Sequence, residues 1–182
     1  NTIKLPEPFV VMATQNPVEY DGTFPLPVAQ LDRFLIKTSV GYPEPEAESE
    51  ILLNQKYHHP IEKLKPVITA EQFVELQQAI KEIYIKPDLR EYIVEIVGKT
   101  RNHNAIKLGA SPRGSLGIFK MSRSWAAISG RDYVIPDDIK IVAPYVLKHR
   151  VMLESDSKLR GRNDIEIISE ILNKIEVPVE VG

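Results

Sequence analysis

The chain has 182 residues, no cysteine, a formal net charge of -2, 43% hydrophobic and 26% charged residues, an ordinary balance for one globular domain or two small ones. Lack of cysteine excludes a disulfide framework, a thiolate nucleophile and a thiolate metal site. With no long basic run there is no global attraction to nucleic acid or to an anionic membrane, and the apolar runs are far shorter than a membrane span, so the expected location is the cytoplasm.

The opening, Asn1-Thr2-Ile3-Lys4-Leu5-Pro6, lacks an initiator methionine and runs into an apolar stretch, which gives the expectation of a fragment or processed chain. From Phe9 to Thr14 the run is nearly all apolar, as in a strand buried on both faces of a parallel sheet. Ligands gather at the carboxyl ends of such strands, which is where Gln15 and Asn16 stand. After Gly22 and two prolines, Val28 to Arg33 reads as a short helix and Phe34 to Val40 as a second strand, stopped by Gly41-Tyr42-Pro43.

Glu44, Glu46, Glu48 and Glu50 precede Ile51-Leu52-Leu53, the composition of a helix opening in which proline suits the first turn and carboxylates complement the dipole. His58-His59-Pro60 lies in the loop that follows, without the third ligand a metal site needs. From Thr69 the period becomes helical. Thr69 and Gln72 form a capping-box pattern before Phe73, Leu76, Ile80, Ile83 and Tyr84. Leu89, Tyr92, Ile93, Ile96 and Val97 make a second stripe ending near Gly98. A third helix is predicted from Ser111-Pro112, with serine as cap and proline at the first position, to Gly130. A fourth starts at Pro136, and a last one follows Asn163-Asp164 and carries Ile165, Ile168, Ile171, Leu172 and Ile175. These stripes predict a helical bundle.

Gly98-Lys99-Thr100 matches the end of a P-loop. The full pattern needs a glycine where Ile93 stands and a strand where the sequence is helical, so a helix C-terminus is the better reading. Asn16 before Pro17 is by itself a common turn. Arg33 beside Asp32 is explained equally by a solvated surface, and Arg113 at a helix start by a structural ion pair. The three gain meaning from their order: a strand ending in asparagine, a helix ending in arginine, a second strand, then a bundle whose third helix opens with arginine at an anion-attracting terminus.

The strings VMATQNPVEYDGTFPLPVAQLDRFLIK and GASPRGSLGIFKMSRSWAAISGRDYVIPDDIKIVAPYVLKHRV resemble the MoxR family of AAA+ ATPases, and the resemblance covers nearly the whole chain. It implies a mainly α fold with a small β part: the C-terminal remnant of an AAA+ α/β core over residues 1–42, a linker with a short helix over 43–68, and an α-helical lid over 69–182. It also implies that Asn16 is the sensor-1 residue orienting the attacking water. Arg33 matches the arginine finger that reaches a neighbouring subunit's γ-phosphate, and Arg113 the sensor-2 arginine that meets nucleotide phosphate. Arginine suits both roles because its fork stays charged and pairs with phosphate oxygens.

Val28 stands where the family carries a glutamate, so that carboxylate's role is absent or moved. The family's Walker A and Walker B segments belong upstream of Asn1. The expectation is therefore an ATP- and Mg²⁺-dependent parent that assembles as a homo-oligomeric ring and remodels an unknown client protein, without nucleic acid. The present chain by itself is expected to be inactive and to hold no tightly bound cofactor. In the family the P-loop strand separates the two strands read above, so residues 1 to about 42 should be irregular or repaired by direct pairing. A magnesium-chelatase-like or MCM-like ATPase subunit is the alternative within the same class. A non-catalytic helical interaction module is the alternative outside it.

Overall fold

The structure, a computed structural model, describes residues 3–15, 26–56 and 59–178. The chain divides into two compact units, Asn1–Met12 with Thr38–Gln77 and Ala13–Lys37 with Gln78–Gly182. Mainly helical architecture with a small two-stranded sheet agrees with the fold class read from the sequence.

In the first unit, α2 (Pro45–Asn54) opens with Pro45 at its first position and Glu46 and Glu48 in its first turn, as the sequence led one to expect. A 3₁₀ turn follows at Pro60–Lys63, where the His59 side chain accepts from the Ile61 N–H at 3.3 Å. Helix α3 (Ala70–Glu82) spans the division between the units. Its capping box forms as read: Gln72 N donates to Thr69 Oγ1 at 3.2 Å, and Thr69 N donates to Gln72 Oε1 at 2.9 Å.

Neither expected strand is present among the described residues: 9–14 and 36–40 have no regular structure. Phe9, Val10 and Val11 are exposed, and Met12 is 91% exposed. A strand gains its stability from ladder partners and a covered face. These segments have neither, and the irregular alternative holds over the described part of this region.

The second unit contains the core. In α4 (Pro87–Arg101) the stripe Leu89, Tyr92, Ile93, Ile96 and Val97 is buried as its spacing demands. The helix does not stop near Gly98. It continues to Arg101, because Thr100 is buried rather than solvated: its hydroxyl donates to Val97 O at 2.6 Å and accepts from Ala110 N at 3.0 Å. Helix α5 (Pro112–Ile128) packs on α6 (Pro136–Leu147), and α8 (Asp164–Lys174) closes the core with Ile167, Ile168, Ile171 and Leu172. A side chain at Gly117 would come within 2.7 Å of Val146 Cγ1, so glycine there permits the close approach of α5 and α6.

Between these helices lie β1 (Ile106–Leu108) and β2 (Met152–Leu153), antiparallel, with Ile106 opposite Leu153 and Leu108 opposite Met152. One extra residue on β1 makes an irregularity around Lys107. Helix α7 (Ser155–Leu159) links β2 to α8, which starts in a full capping box between Asn163 and Glu166. The small sheet and α7 were not read from the sequence, since two- and three-residue strands are too short to show a period.

Candidate functional site

A single helical turn, α1 (Val28–Leu31), is followed by Asp32 and Arg33, whose backbone continues the turn through Arg33 N to Gln30 O at 3.1 Å and Phe34 N to Leu31 O at 3.1 Å. Arg33 is exposed and Asp32 is partly buried. Asp32 is the point on which the second unit converges. Its carboxylate accepts from Ser111 Oγ at 3.0 and 3.2 Å, lies 3.7 Å from Arg113 Nε, and lies 3.2 Å from Arg150 Nε.

Ser111 therefore has two partners. It caps α5 by accepting from Arg113 N at 3.2 Å and donates its proton to Asp32. Arg113 follows Pro112 in the first turn of α5, with its side chain 56% exposed. The amides of Arg113 and Gly114 at this helix start are already taken by Ser111, so it is the exposed guanidinium, aided by the helix dipole, that can meet an anion. Its ion pair with Asp32 is solvated and weak.

Arg150 is the opposite case, with a side chain only 3% exposed. Its Nη2 donates to Asp32 O at 3.2 Å and to Phe34 O, and its Nη1 to Leu35 O at 3.1 Å and to Val146 O. Burial pushes its pKa down and the Asp32 carboxylate opposes that shift. His149 Nε2 stands 3.0 Å from Phe34 O and 2.8 Å from Arg150 Nη1, so the ring either donates to the first or accepts from the second. Burial lowers the His149 pKa, the Phe34 carbonyl counters it, and Arg150 adds to the lowering.

The structure thus links two of the three residues singled out from the sequence: Arg33 sits next to the carboxylate that pairs with Arg113. Asn16 lies outside the described residues. Gly98-Lys99-Thr100 forms no phosphate cradle, since it is the last part of α4 with Thr100 turned into the core. A cavity of about 890 Å³ between Pro87–Glu95 and Glu176–Pro178 is lined by Asp88, Glu91, Glu95 and Glu176 against one arginine, Arg90, the wrong sign for a polyphosphate. Among the described residues no cluster of His, Asp and Glu could hold a metal ion.

Sequence reasoning treated Asp32 only as a neighbour of Arg33 and passed over His149 and Arg150. The signal was there: Lys148-His149-Arg150 follows directly on the buried Val146-Leu147 end of α6. A histidine and an arginine entering a core must bring partners with them.

A model of an AAA lid domain matches residues 98–171, and a model of an ATPase family associated with various cellular activities matches residues 1–36. The chain is 49% identical to protein YeaC of Bacillus subtilis, over 99% of this chain and 56% of that one. It is 39% identical to the chaperone MoxR1 of Mycobacterium tuberculosis, over 97% of this chain and 49% of that one. A crystal structure of a candidate ATPase from Cytophaga hutchinsonii superposes with a TM-score of 0.88 at 33% identity, covering 97% of this chain and 56% of that one. The chain spans about half the length of the curated relatives it matches. With lid and core models matching in order, and with relatives of this identity along almost all of its length, the chain belongs to the MoxR family of AAA+ ATPases.

Proposed function

We propose that this chain carries the arginine-finger turn and the sensor-2 lid of an ATP-hydrolysing, ring-forming motor that remodels or helps assemble a partner protein. One observation carries the reading: Asp32 joins the turn bearing Arg33 to the start of α5 bearing Arg113, so one small region presents two exposed guanidinium groups. Two such cations suit the phosphates of a nucleotide, whose transferred group spreads negative charge over its oxygens. Arg113 would contact phosphate from the lid. Arg33 would reach the nucleotide of a neighbouring subunit, which is why a ring is part of the proposal. Asn16 would orient the attacking water. No described side-chain cluster fits Mg²⁺. The chaperone-like role is supported by the name of the Mycobacterium relative.

In this reading residues 1–42 belong to the nucleotide-binding core, 43–68 to a linker and 69–182 to the lid, and the chain needs the remaining half of its relatives' length to hydrolyse ATP. The test uses a protein extended to that length. Arg33→Ala should reduce kcat by on the order of 10³-fold with ATP binding retained, as for arginine fingers generally. Mixing it with subunits that bind but cannot hydrolyse should restore part of the rate. Full hydrolysis by Arg33→Ala at saturating ATP and protein would remove the finger assignment. Absence of ATP binding by both the chain and the extended protein would favour a helical interaction module.

A further inference from the structure

Two carbonyls flank Arg33, those of Asp32 and Phe34, and both accept from Nη2 of the same side chain, Arg150. The next carbonyl, Leu35 O, accepts from Nη1, as does Val146 O at the end of α6. The two Nη atoms of Arg150 thus reach four backbone carbonyls, with His149 Nε2 also beside Nη1. The Arg150 Nε lies 3.2 Å from the Asp32 carboxylate, an ion pair without hydrogen-bond geometry at that nitrogen. Arg33 itself is exposed and touches none of these groups through its side chain in the described network.

We propose that Arg150 is a positioning residue for Arg33, holding the finger's turn against the end of α6 so that the exposed guanidinium is presented from a fixed backbone. The proposal rests on the reading of Arg33 as a finger. Its physical content is specific to arginine. A turn that has just left a short helix has carbonyls with no partner in the helix. A planar fork with five donors can satisfy several at once, whereas the three donors of a lysine ammonium radiate from one point and cannot span the same set. Asp32 supplies the counter-charge and passes its other oxygen to Ser111, so the same carboxylate also sets where α5 begins.

An arginine finger acts only if its guanidinium reaches the transferred phosphate. Misplacement by about 1 Å can cost about 10²-fold in rate. Positioning should therefore appear in kcat and hardly in KM. The experiment measures steady-state ATP hydrolysis and thermal unfolding of the extended protein as Arg150→Lys, Arg33→Ala and the double variant. Arg150→Lys should lower kcat about 10- to 100-fold with KM for ATP changed less than about 3-fold, and it should cause no additional loss when Arg33 is already alanine. If Arg150→Lys leaves kcat within about 2-fold, or adds its full loss on top of Arg33→Ala, the positioning role is overturned while the finger reading survives. If Arg33→Ala alone leaves kcat unchanged, the finger reading is overturned, and the positioning role with it. Should Arg150→Lys not fold, Arg150→Gln takes its place. It removes the guanidinium fork and leaves the Asp32 carboxylate with Ser111 and Arg113, and the same absence of additional loss over Arg33→Ala is expected. An additive loss there overturns the proposal.

Discussion

Asp32 and Arg150, 118 residues apart in the chain, meet with Oδ1 of the carboxylate 3.2 Å from Nε of a guanidinium that is almost wholly buried. Asp32 keeps partial access to solvent. The desolvation cost therefore falls on the arginine, and the four carbonyls around it are what offset that cost.

Removing the arginine should accordingly destabilise the second unit. Arg150→Met preserves much of the volume but leaves the carbonyls of Asp32, Phe34, Leu35 and Val146 without this donor, and the Asp32 carboxylate without its nearest cation. Losing one partner of a buried pair costs about 3–5 kcal/mol. Urea unfolding monitored by far-ultraviolet circular dichroism should show the midpoint move down by that equivalent with an unchanged slope. An unchanged midpoint would mean that the pair contributes nothing net.

His149 makes stability depend on pH. Burial is the largest cause of its lowered pKa, and its Nδ1 has no hydrogen-bond partner among the described residues, so a second ring proton would be a buried donor without an acceptor. The folded pKa lies below the ordinary 6.5, and the unfolded chain therefore binds the proton first as pH falls. The contribution is fully present above about pH 6.5 and is lost progressively as the pH drops toward the folded value. His103, also lowered mainly by burial, adds in the same direction. Urea midpoints should decline between about pH 7.5 and about pH 5.5, and His149→Gln should flatten the decline. An equally steep decline in His149→Gln would place the proton elsewhere.

Asp138 fixes the other end of α6. It is buried, accepts from Ile135 N at 2.9 Å, and forms a two-pronged pair with Arg131 at 2.8 and 2.6 Å. Only the acidic half of a capping box exists here, since the isoleucine at the cap position has no acceptor. Asp138→Ala removes the bonds to Ile135 and Arg131 together and should cost about 2–3 kcal/mol. Asp138→Asn should cost less, because its amide oxygen can still accept from Ile135 N. Equal losses for the two variants would show that the charge rather than the cap carries the effect.

How far the sequence could be read depended on the range of the interaction. Helix starts are decided within four residues, and those at Thr69 and Ser111 have the caps read from the sequence, while the start read after Asn163 proves to be capped by that asparagine. The buried stripe of α4 was legible for the same reason. The end of α4 was not, because Thr100 continues the helix by bonding to Ala110, ten residues on. The strand assignment failed at 9–14 because apolar composition records a preference for burial, whereas a strand also needs a partner. At the candidate site Arg33 and Arg113 stood out through the family pattern, but the group that links them did not. Asp32, Ser111 and Arg150 come from three distant parts of the chain, and only the fold brings them together.

The segment leading into Ser111 gives the sharpest contrast between two glycines. At Gly109 a Cβ would sit 2.6 Å from Arg101 Cα and 2.7 Å from both Arg101 N and Thr100 O, all of them backbone atoms that cannot rotate away. Gly109→Ala must push this segment off the end of α4. It should thereby strain the Ala110 N to Thr100 Oγ1 bond of 3.0 Å and the Arg101 Nε to Ala110 O bond of 2.9 Å. A cost of about 1–3 kcal/mol is expected for such overpacking. At Gly98, inside α4, a Cβ would meet nothing within 4 Å. Gly98→Ala should stabilise by about 0.4–1 kcal/mol, because alanine restricts the unfolded chain and favours the helix. Thermal unfolding of the two variants should therefore shift in opposite directions. Destabilisation by Gly98→Ala would show that α4 does not extend through this position, and a neutral Gly109→Ala would show that the segment has room to move.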